Sequence, residues 1–151
     1  MELNNEDEHY MKEALKEARK AFEMNEVPVG AVIVCDGIII ARAYNYTEHL
    51  NDVTAHAEMQ AITSAANHLG GKYLPECTLY VTIEPCIMCA GALFWAQIGR
   101  IVYSAPDPKR GFSMIGVHLL HPRTKISKGI LEEESSRIMK DFFEKKRKDE
   151  G

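Results

Sequence analysis

The stretch that decides the fold covers residues 78–97 and reads TLYVTIEPCIMCAGALFWAQ. Its first six residues are mainly β-branched or apolar, which predicts a short buried strand. Pro85 favours the first turn of a helix, and we predict that helix from Cys86 to Gln97. Cys86 and Cys89 are three residues apart, so both sulfur atoms lie on one face of it. The N-terminus of a helix stabilises negative charge and therefore favours the thiolate, the form of cysteine that binds metal ions.

The rest of the chain predicts an alternation of helices and strands. A polar loop is expected at 45–53 and a long Pro- and Gly-containing loop after residue 104. The other predicted elements are a helix at 6–24, a hairpin of strands 31–35 and 38–43 around Asp36-Gly37, a helix from Thr54 to His68, a strand at 101–104, a weaker strand at 125–130 and a helix at 132–148. This order predicts an α/β fold, a sheet covered by helices on both faces.

Length and composition indicate one domain over residues 1–151 and exclude several classes of protein. No apolar run approaches the roughly 20 residues of a membrane-spanning helix. The first ten residues are acidic and polar rather than a secretory signal, so a cytoplasmic location is expected. The net charge is −4, but residues 100–130 hold six Lys or Arg against one Asp, and a basic run follows at 145–148. Charge alone favours an ordinary solvated surface, although a local basic face permits nucleic-acid binding.

Two cysteines alone do not make a four-cysteine structural zinc site, so a third metal ligand must come from another segment. The best candidate is His56, in the segment Thr54-Ala55-His56-Ala57-Glu58 at the start of the second long predicted helix. Two thiolates and one imidazole leave one coordination position open, as in catalytic zinc sites. Glu58 is then placed to shuttle a proton rather than to bind the metal. The remaining cysteines, Cys35 and Cys77, flank apolar runs and are interpreted as buried side chains.

Taken together, these segments form the pattern H-x-E…P-C-x-x-C, the signature of zinc-dependent nucleobase deaminases. The sequence resembles the cytidine deaminase-like superfamily and, within it, the bacterial tRNA-specific adenosine deaminases. The resemblance extends over nearly the whole chain, and its strongest segments are 26–32, 54–58, 79–92, 98–103 and 141–143.

The resemblance implies a three-layer α-β-α sandwich with a five-stranded mixed sheet, a homodimer and one Zn²⁺ per subunit. It also implies that adenosine at the wobble position of a tRNA anticodon is converted to inosine. Glu58 would take a proton from the attacking water and pass it to the adenine ring and then to the leaving ammonia. Asn45 would bind the edge of the base. Val29 and Phe143, in the segments that match the family's first-strand entry and C-terminal helix, are also implied to bind the substrate.

The loop after the fourth strand matches a family loop that touches the anticodon. Asp107 and Lys109 agree with the usual pattern of that loop, and Lys109 and Arg110 are candidates to contact phosphate groups. For Phe112, stacking on a base and packing under the loop are equally compatible with the sequence. One segment departs from the family: residues 121–124 are short, and an Asn-His pair expected there is absent.

Three alternatives stay open at this level. The same zinc chemistry could deaminate a small free base or nucleoside, such as guanine, cytosine or adenine. A zinc-stabilised RNA-binding module without catalysis is less consistent with the sequence, because it has no need of Glu58. A redox-active Cys-x-x-Cys protein is the weakest alternative.

Overall fold

A computed structural model describes residues 3–150, which form one mixed sheet and its flanking helices. The chain alternates between strands and helices much as the hydrophobic periodicity predicts. The elements are α1 (Asn5–Glu23), β1 (Gly30–Cys35), β2 (Ile38–Tyr44), α2 (Thr47–Leu50), α3 (Ala57–Leu69), β3 (Cys77–Ile83), α4 (Ile87–Ala96), β4 (Arg100–Ala105), two 3₁₀ turns (Phe112–Met114 and Val117–Leu119), β5 (Lys125–Lys128) and α5 (Glu132–Glu150).

The five strands lie in the order β2-β1-β3-β4-β5. β1 pairs antiparallel with both β2 and β3, whereas β3, β4 and β5 run parallel to one another. In the parallel part, Ile83 is opposite Ala105, so β3 and β4 end at the same edge of the sheet. The segments that follow these two strands therefore emerge side by side, and one of them carries both cysteines of the Cys-x-x-Cys motif.

Helices cover both faces of the sheet because the strands bury side chains on both sides. Ala31 and Ile33 of β1 belong to the core beneath α3 and α4, whereas Val32 and Val34 face the core beneath α1. α5 packs beside α1 and against β3 and β4. The predicted α/β class and its three-layer arrangement are confirmed. Within residues 3–150, each helix is too short or too polar to cross a lipid bilayer.

Some predicted boundaries were wrong, and each has a local cause. The helix expected from Thr54 begins at Ala57, because the Thr54 hydroxyl and N–H both donate to the Asp52 carboxylate and stabilise a turn instead. The expected polar loop contains the short helix α2. The last strand is confined to Lys125–Lys128, and the helix after Pro85 has Cys86 as its N-cap.

Candidate active site

His56, Cys86 and Cys89 come together at the N-termini of two neighbouring helices. His56 is the N-cap of α3, Cys86 is the N-cap of α4, and Cys89 lies in the first turn of α4. The sequence predicted that His56 and Cys86 lie inside their helices. Each instead lies one position before the first helical residue. His56 Nδ1 is 3.7 Å from Cys86 Sγ and 3.5 Å from Cys89 Sγ. All three ligand atoms lie within 4.8 Å of one another, so they could hold one metal ion.

These separations fit zinc. In a tetrahedral site with Zn–S near 2.3 Å and Zn–N near 2.05 Å, a sulfur and a nitrogen ligand are about 3.6 Å apart. The observed values of 3.5 and 3.7 Å lie on either side of that distance. Among the residues from 3 to 150, no fourth His, Cys, Asp or Glu joins the cluster. The three donors therefore match a three-ligand site, which leaves a position open for water or substrate.

The two cysteines have opposite electrostatic environments. Hydrogen bonds from the Cys89 thiol, His56 and the Cys89 N–H lower the pKa of Cys86 to about 4, although burial acts in the other direction. The pKa of Cys89 is raised by its contact with Cys86, by burial and by the nearby Glu58. The hydrogen bond to Cys86 raises the pKa of His56. The cluster thus already stabilises one thiolate, the form in which cysteine ligates a metal.

Glu58 lies two residues after His56, and its side chain is almost completely buried, at 4% exposed. Burial raises the pKa of its carboxyl group to about 7, while its own backbone N–H and the charge of His56 act in the opposite direction. Glu58 contacts the cavity that also reaches His56 and Cys86. The first turn of α3 thus holds a metal-ligand candidate and a carboxyl group side by side.

The cavity next to this cluster has a volume of about 340 Å³. It brings together most of the side chains that the sequence proposed for substrate binding. Those that line it are Val29, Asn45, Asp107, Arg110 and Phe143. Lys109 lies in the same loop as Asp107 but is exposed and does not line the cavity. The structure also adds wall residues that the sequence did not single out, namely Val27, Thr47, Ala57, Ile83, Glu84 and Met139.

Glu26 is a buried residue that sequence reasoning did not assign to the site. Its carboxylate accepts hydrogen bonds from the N–H groups of Glu48 (3.1 Å) and His49 (2.8 Å) and pairs with the His49 ring at 2.6 Å. It also accepts a longer bond of 3.4 Å from the Asn45 side-chain amide. Burial raises the pKa of Glu26, but the hydrogen bonds from His49 and Glu48 outweigh burial and hold it below the ordinary value. Glu26 therefore fixes α2 and the orientation of Asn45 at the cavity wall. The sequence signal for it was its place at the start of the segment 26–32, which resembles the family.

Phe112 packs under the loop rather than facing the cavity. It is 1% exposed, and its ring makes an edge contact with Tyr103. Of its two interpretations, the structure supports packing, and base stacking is wrong.

The basic residues of 100–130 do not form one surface. Arg100 pairs with the buried Asp7, and Arg123 and Lys125 border a separate hollow near the start of β4. The short segment 121–124 lies at this opposite edge of the sheet, because Lys125 is paired with Arg100. Near the cavity, the positive charges come from residues 109 and 110 and from α5. There, Lys146 and Arg147 border a smaller hollow that shares Val27 and Phe143 with the cavity.

Comparison with known proteins gives a family match over most of the chain. The family model described as MafB19-like deaminase matches residues 5–147. The tRNA-specific adenosine deaminase of Agrobacterium fabrum is 48% identical over 147 residues, which cover 94% of this chain and 97% of that protein.

Solved structures support the same placement. One, from studies of A-to-I editing by tRNA:A34 deaminases at the wobble position, has a TM-score of 0.81 and 47% identity, and the match covers 86% of this chain and 98% of that one. A guanine deaminase from Bacillus subtilis has 42% identity but a TM-score of 0.63, covering 69% of this chain and 66% of its own. The likeness to the guanine deaminase thus leaves about a third of each chain unmatched.

Proposed function

This chain belongs to the MafB19-like deaminase family and, within it, to the tRNA-specific adenosine deaminases, and from that premise we propose its reaction. The chain hydrolyses adenosine to inosine at the wobble position of a tRNA anticodon. Water adds at C6 of adenine, the C6–amino bond breaks, and ammonia leaves. The protein acts as a single zinc-dependent deaminase domain over residues 1–151.

The observation that carries this proposal is the His56, Cys86 and Cys89 cluster with the buried Glu58 at the wall of one cavity. We assign the three ligand atoms to one Zn²⁺ per chain, because their spacing fits tetrahedral zinc. The chemistry that zinc supplies is activation of a water molecule near neutral pH. A structural site does not need a carboxyl group beside an open coordination position, so this arrangement supports catalysis over a purely structural role.

Glu58 is assigned the proton transfers. It is held in the first turn of α3, buried, and in contact with the cavity that reaches the metal-ligand candidates. From this position the carboxylate accepts the proton of the attacking water and delivers it to the ring and then to the departing ammonia. Because its surroundings are largely closed to bulk water, the proton stays with the reacting groups.

The remaining cavity residues are assigned to substrate binding. Asn45 binds the edge of the base through its amide, held in place by Glu26. Val29 and Phe143 supply apolar contacts, and Asp107 and Arg110 lie at the loop wall. Lys109, at the outside of the same loop, and the basic residues of α5 are suited to phosphate groups of the flanking nucleotides. A single flipped-out base in the cavity with its backbone over these cations accounts for both features.

We also propose that the chain forms a homodimer and works in the cytoplasm. One side of α4 exposes apolar side chains at helical spacing, among them Met88 and Trp95, the latter 76% exposed. The neighbouring segment 114–117 adds exposed Met114, Ile115 and Val117. Such an exposed apolar patch is typical of an interface between subunits. Sedimentation of the wild-type protein and of Trp95→Glu tests it, and a wild-type monomer would contradict it.

The reaction is tested with purified, zinc-loaded protein on two kinds of substrate. The first is an anticodon stem-loop with adenosine at the wobble position, and the second is a panel of free bases and nucleosides that includes guanine. We expect inosine in the stem-loop and no turnover of the panel, with Glu58→Gln as the inactive control. Turnover of guanine with an inert stem-loop would contradict the proposal and favour the second candidate, free-base deamination. The likeness to a guanine deaminase is the observation that favours this second candidate.

A further inference from the structure

Glu84 lies between the candidate metal ligands and the loop that borders the cavity. It directly follows β3, precedes Pro85 and Cys86 in sequence, and is 4% exposed. Its side chain also lines the cavity. The reaction proposed above assigns it no role, and Glu84 is not one of the three residues that cluster as metal ligands. A buried carboxylate at this place needs a reason, because burial of an ionised group is costly unless hydrogen bonds compensate.

The compensating hydrogen bonds come from both ends of the loop. Oε1 of Glu84 accepts the backbone N–H of Asp107 at 3.1 Å. Oε2 accepts the backbone N–H of Ser113 at 2.9 Å. Both partners are donors, so both carboxylate oxygens must be acceptors, and a carboxylate is the side chain that provides two. Glu84 thus joins the two ends of the segment 107–113.

Gly111 allows the middle of the loop to rest directly on the carboxylate. A Cβ atom at Gly111 would lie 2.2 Å from Cδ of Glu84 and within 2.5 Å of both of its oxygens. The backbone of Gly111 has an extended conformation that any residue can adopt, so close approach rather than conformation calls for glycine here. The loop also bridges to Cys86 at Gly111, and the Phe112 N–H donates to Pro85.

The position of the loop in turn determines where its side chains lie at the cavity. The Asp107 carboxylate accepts the N–H groups of Lys109 (3.2 Å) and Arg110 (3.1 Å), which shapes the turn that carries both cations. Asp107 and Arg110 line the cavity. We propose that Glu84 is a positioning residue that holds the substrate loop over the cavity and thereby determines substrate affinity rather than the chemical step. This inference rests on the proposed function, because it takes RNA as the ligand of the loop.

The test compares Glu84→Gln with Glu76→Gln. Glu76 is exposed just before β3, at the opposite end of the same strand, so this control removes the same charge away from the cavity. In Glu84→Gln, the side-chain amide presents a donor to one of the two backbone N–H groups. We expect amide hydrogen exchange in the peptide 106–115 to become at least about tenfold faster, the lower bound for the loss of one hydrogen bond to a charged group. KM for the stem-loop should rise about tenfold, while kcat changes less than about threefold and one equivalent of zinc is retained.

Several results would overturn the proposal. In Glu84→Gln, these are unchanged amide hydrogen exchange in the peptide 106–115, a fall of kcat with constant KM, or loss of zinc. Each would show that Glu84 does not act by positioning the loop. If Glu84→Gln does not fold, Gly111→Ala makes the same test by pushing a methyl group against the carboxylate. It should raise KM in the same way, and an unchanged KM overturns the proposal. Hydrogen exchange needs no substrate, so a wild-type protein inactive on the stem-loop refutes the proposed function separately.

Discussion

Replacing Asp7 by asparagine tests whether a buried ion pair holds the first helix on the sheet. The Asp7 side chain is fully buried and accepts two hydrogen bonds from Arg100, at 2.8 and 2.9 Å, and one from the Tyr80 hydroxyl at 2.7 Å. It also accepts the N–H of Asn4 and completes the capping box of α1. Arg100 is the first residue of β4, so the pair joins α1 to that strand.

The expected loss of stability in Asp7→Asn follows from the burial of both partners. Only 16% of the Arg100 side chain is exposed, so water screens the pair weakly. Removing one partner of a buried ion pair lowers the free energy of unfolding by about 3–5 kcal/mol, because the remaining buried charge is left without a compensating charge. A protein of this size loses roughly 2–4 °C of Tm per kcal/mol, so Asp7→Asn should lower the Tm by about 6–20 °C. The control is Glu13→Gln, whose partners Lys16 and Arg42 are 60% and 42% exposed, and it should cost about 1 kcal/mol or less.

The pH dependence gives a second readout with a defined sign. Burial raises the pKa of Asp7, but the hydrogen bonds from Arg100, Tyr80 and Asn4 outweigh burial and hold it below the ordinary value of 3.8. A carboxyl group with a lowered folded-state pKa stabilises the fold above its unfolded pKa and loses that contribution as the pH falls through the folded one. Urea unfolding should show a constant difference between wild type and Asp7→Asn from pH 7 to about pH 5. That difference should shrink below about pH 4. A difference below about 1 kcal/mol at pH 7, or one independent of pH, would refute this reasoning.

Three further predictions concern the reaction, the RNA and the packing. Glu58→Gln should keep one zinc per chain by metal analysis and lower kcat by roughly 10²–10⁴, and loss of the metal would show that Glu58 is a ligand. Lys109→Gln should weaken stem-loop binding and flatten its salt dependence by about one unit of slope, because Lys109 is exposed outside the cavity and is assigned to a phosphate group. Binding equal to that of the wild type in titrations at several salt concentrations would contradict this. Gly30→Ala should lower the free energy of unfolding in urea by about 3 kcal/mol or more, because the added Cβ would lie 2.0 Å from a backbone oxygen of α1. The control Gly71→Ala has open space around the added Cβ and should leave the free energy of unfolding unchanged.

The chemistry of the site could be predicted because it depends on residue types at short spacings. A histidine and a glutamate two residues apart, and two cysteines three residues apart at a helix start, specify donors and a carboxyl group without reference to distant parts of the chain. The α/β class followed in the same way from the alternation of strand and helix periodicities. Local boundaries were less certain, since Thr54 is a good N-cap type but bonds Asp52 instead.

The sequence by itself thus determined the order of the long helices and strands, the candidate metal ligands and the candidate residue for proton transfer, because these are local properties of the chain. Only the tertiary structure decided which distant groups face one another. It buried Phe112 under the loop, separated Arg123 and Lys125 from the cavity, and placed Glu26 and Glu84 where backbone N–H groups converge on them. A carboxylate gains such partners through contacts between segments that lie 22 to 29 residues apart in the chain. Local sequence spacing does not encode those contacts, because they form only when the sheet brings the ends of its strands together.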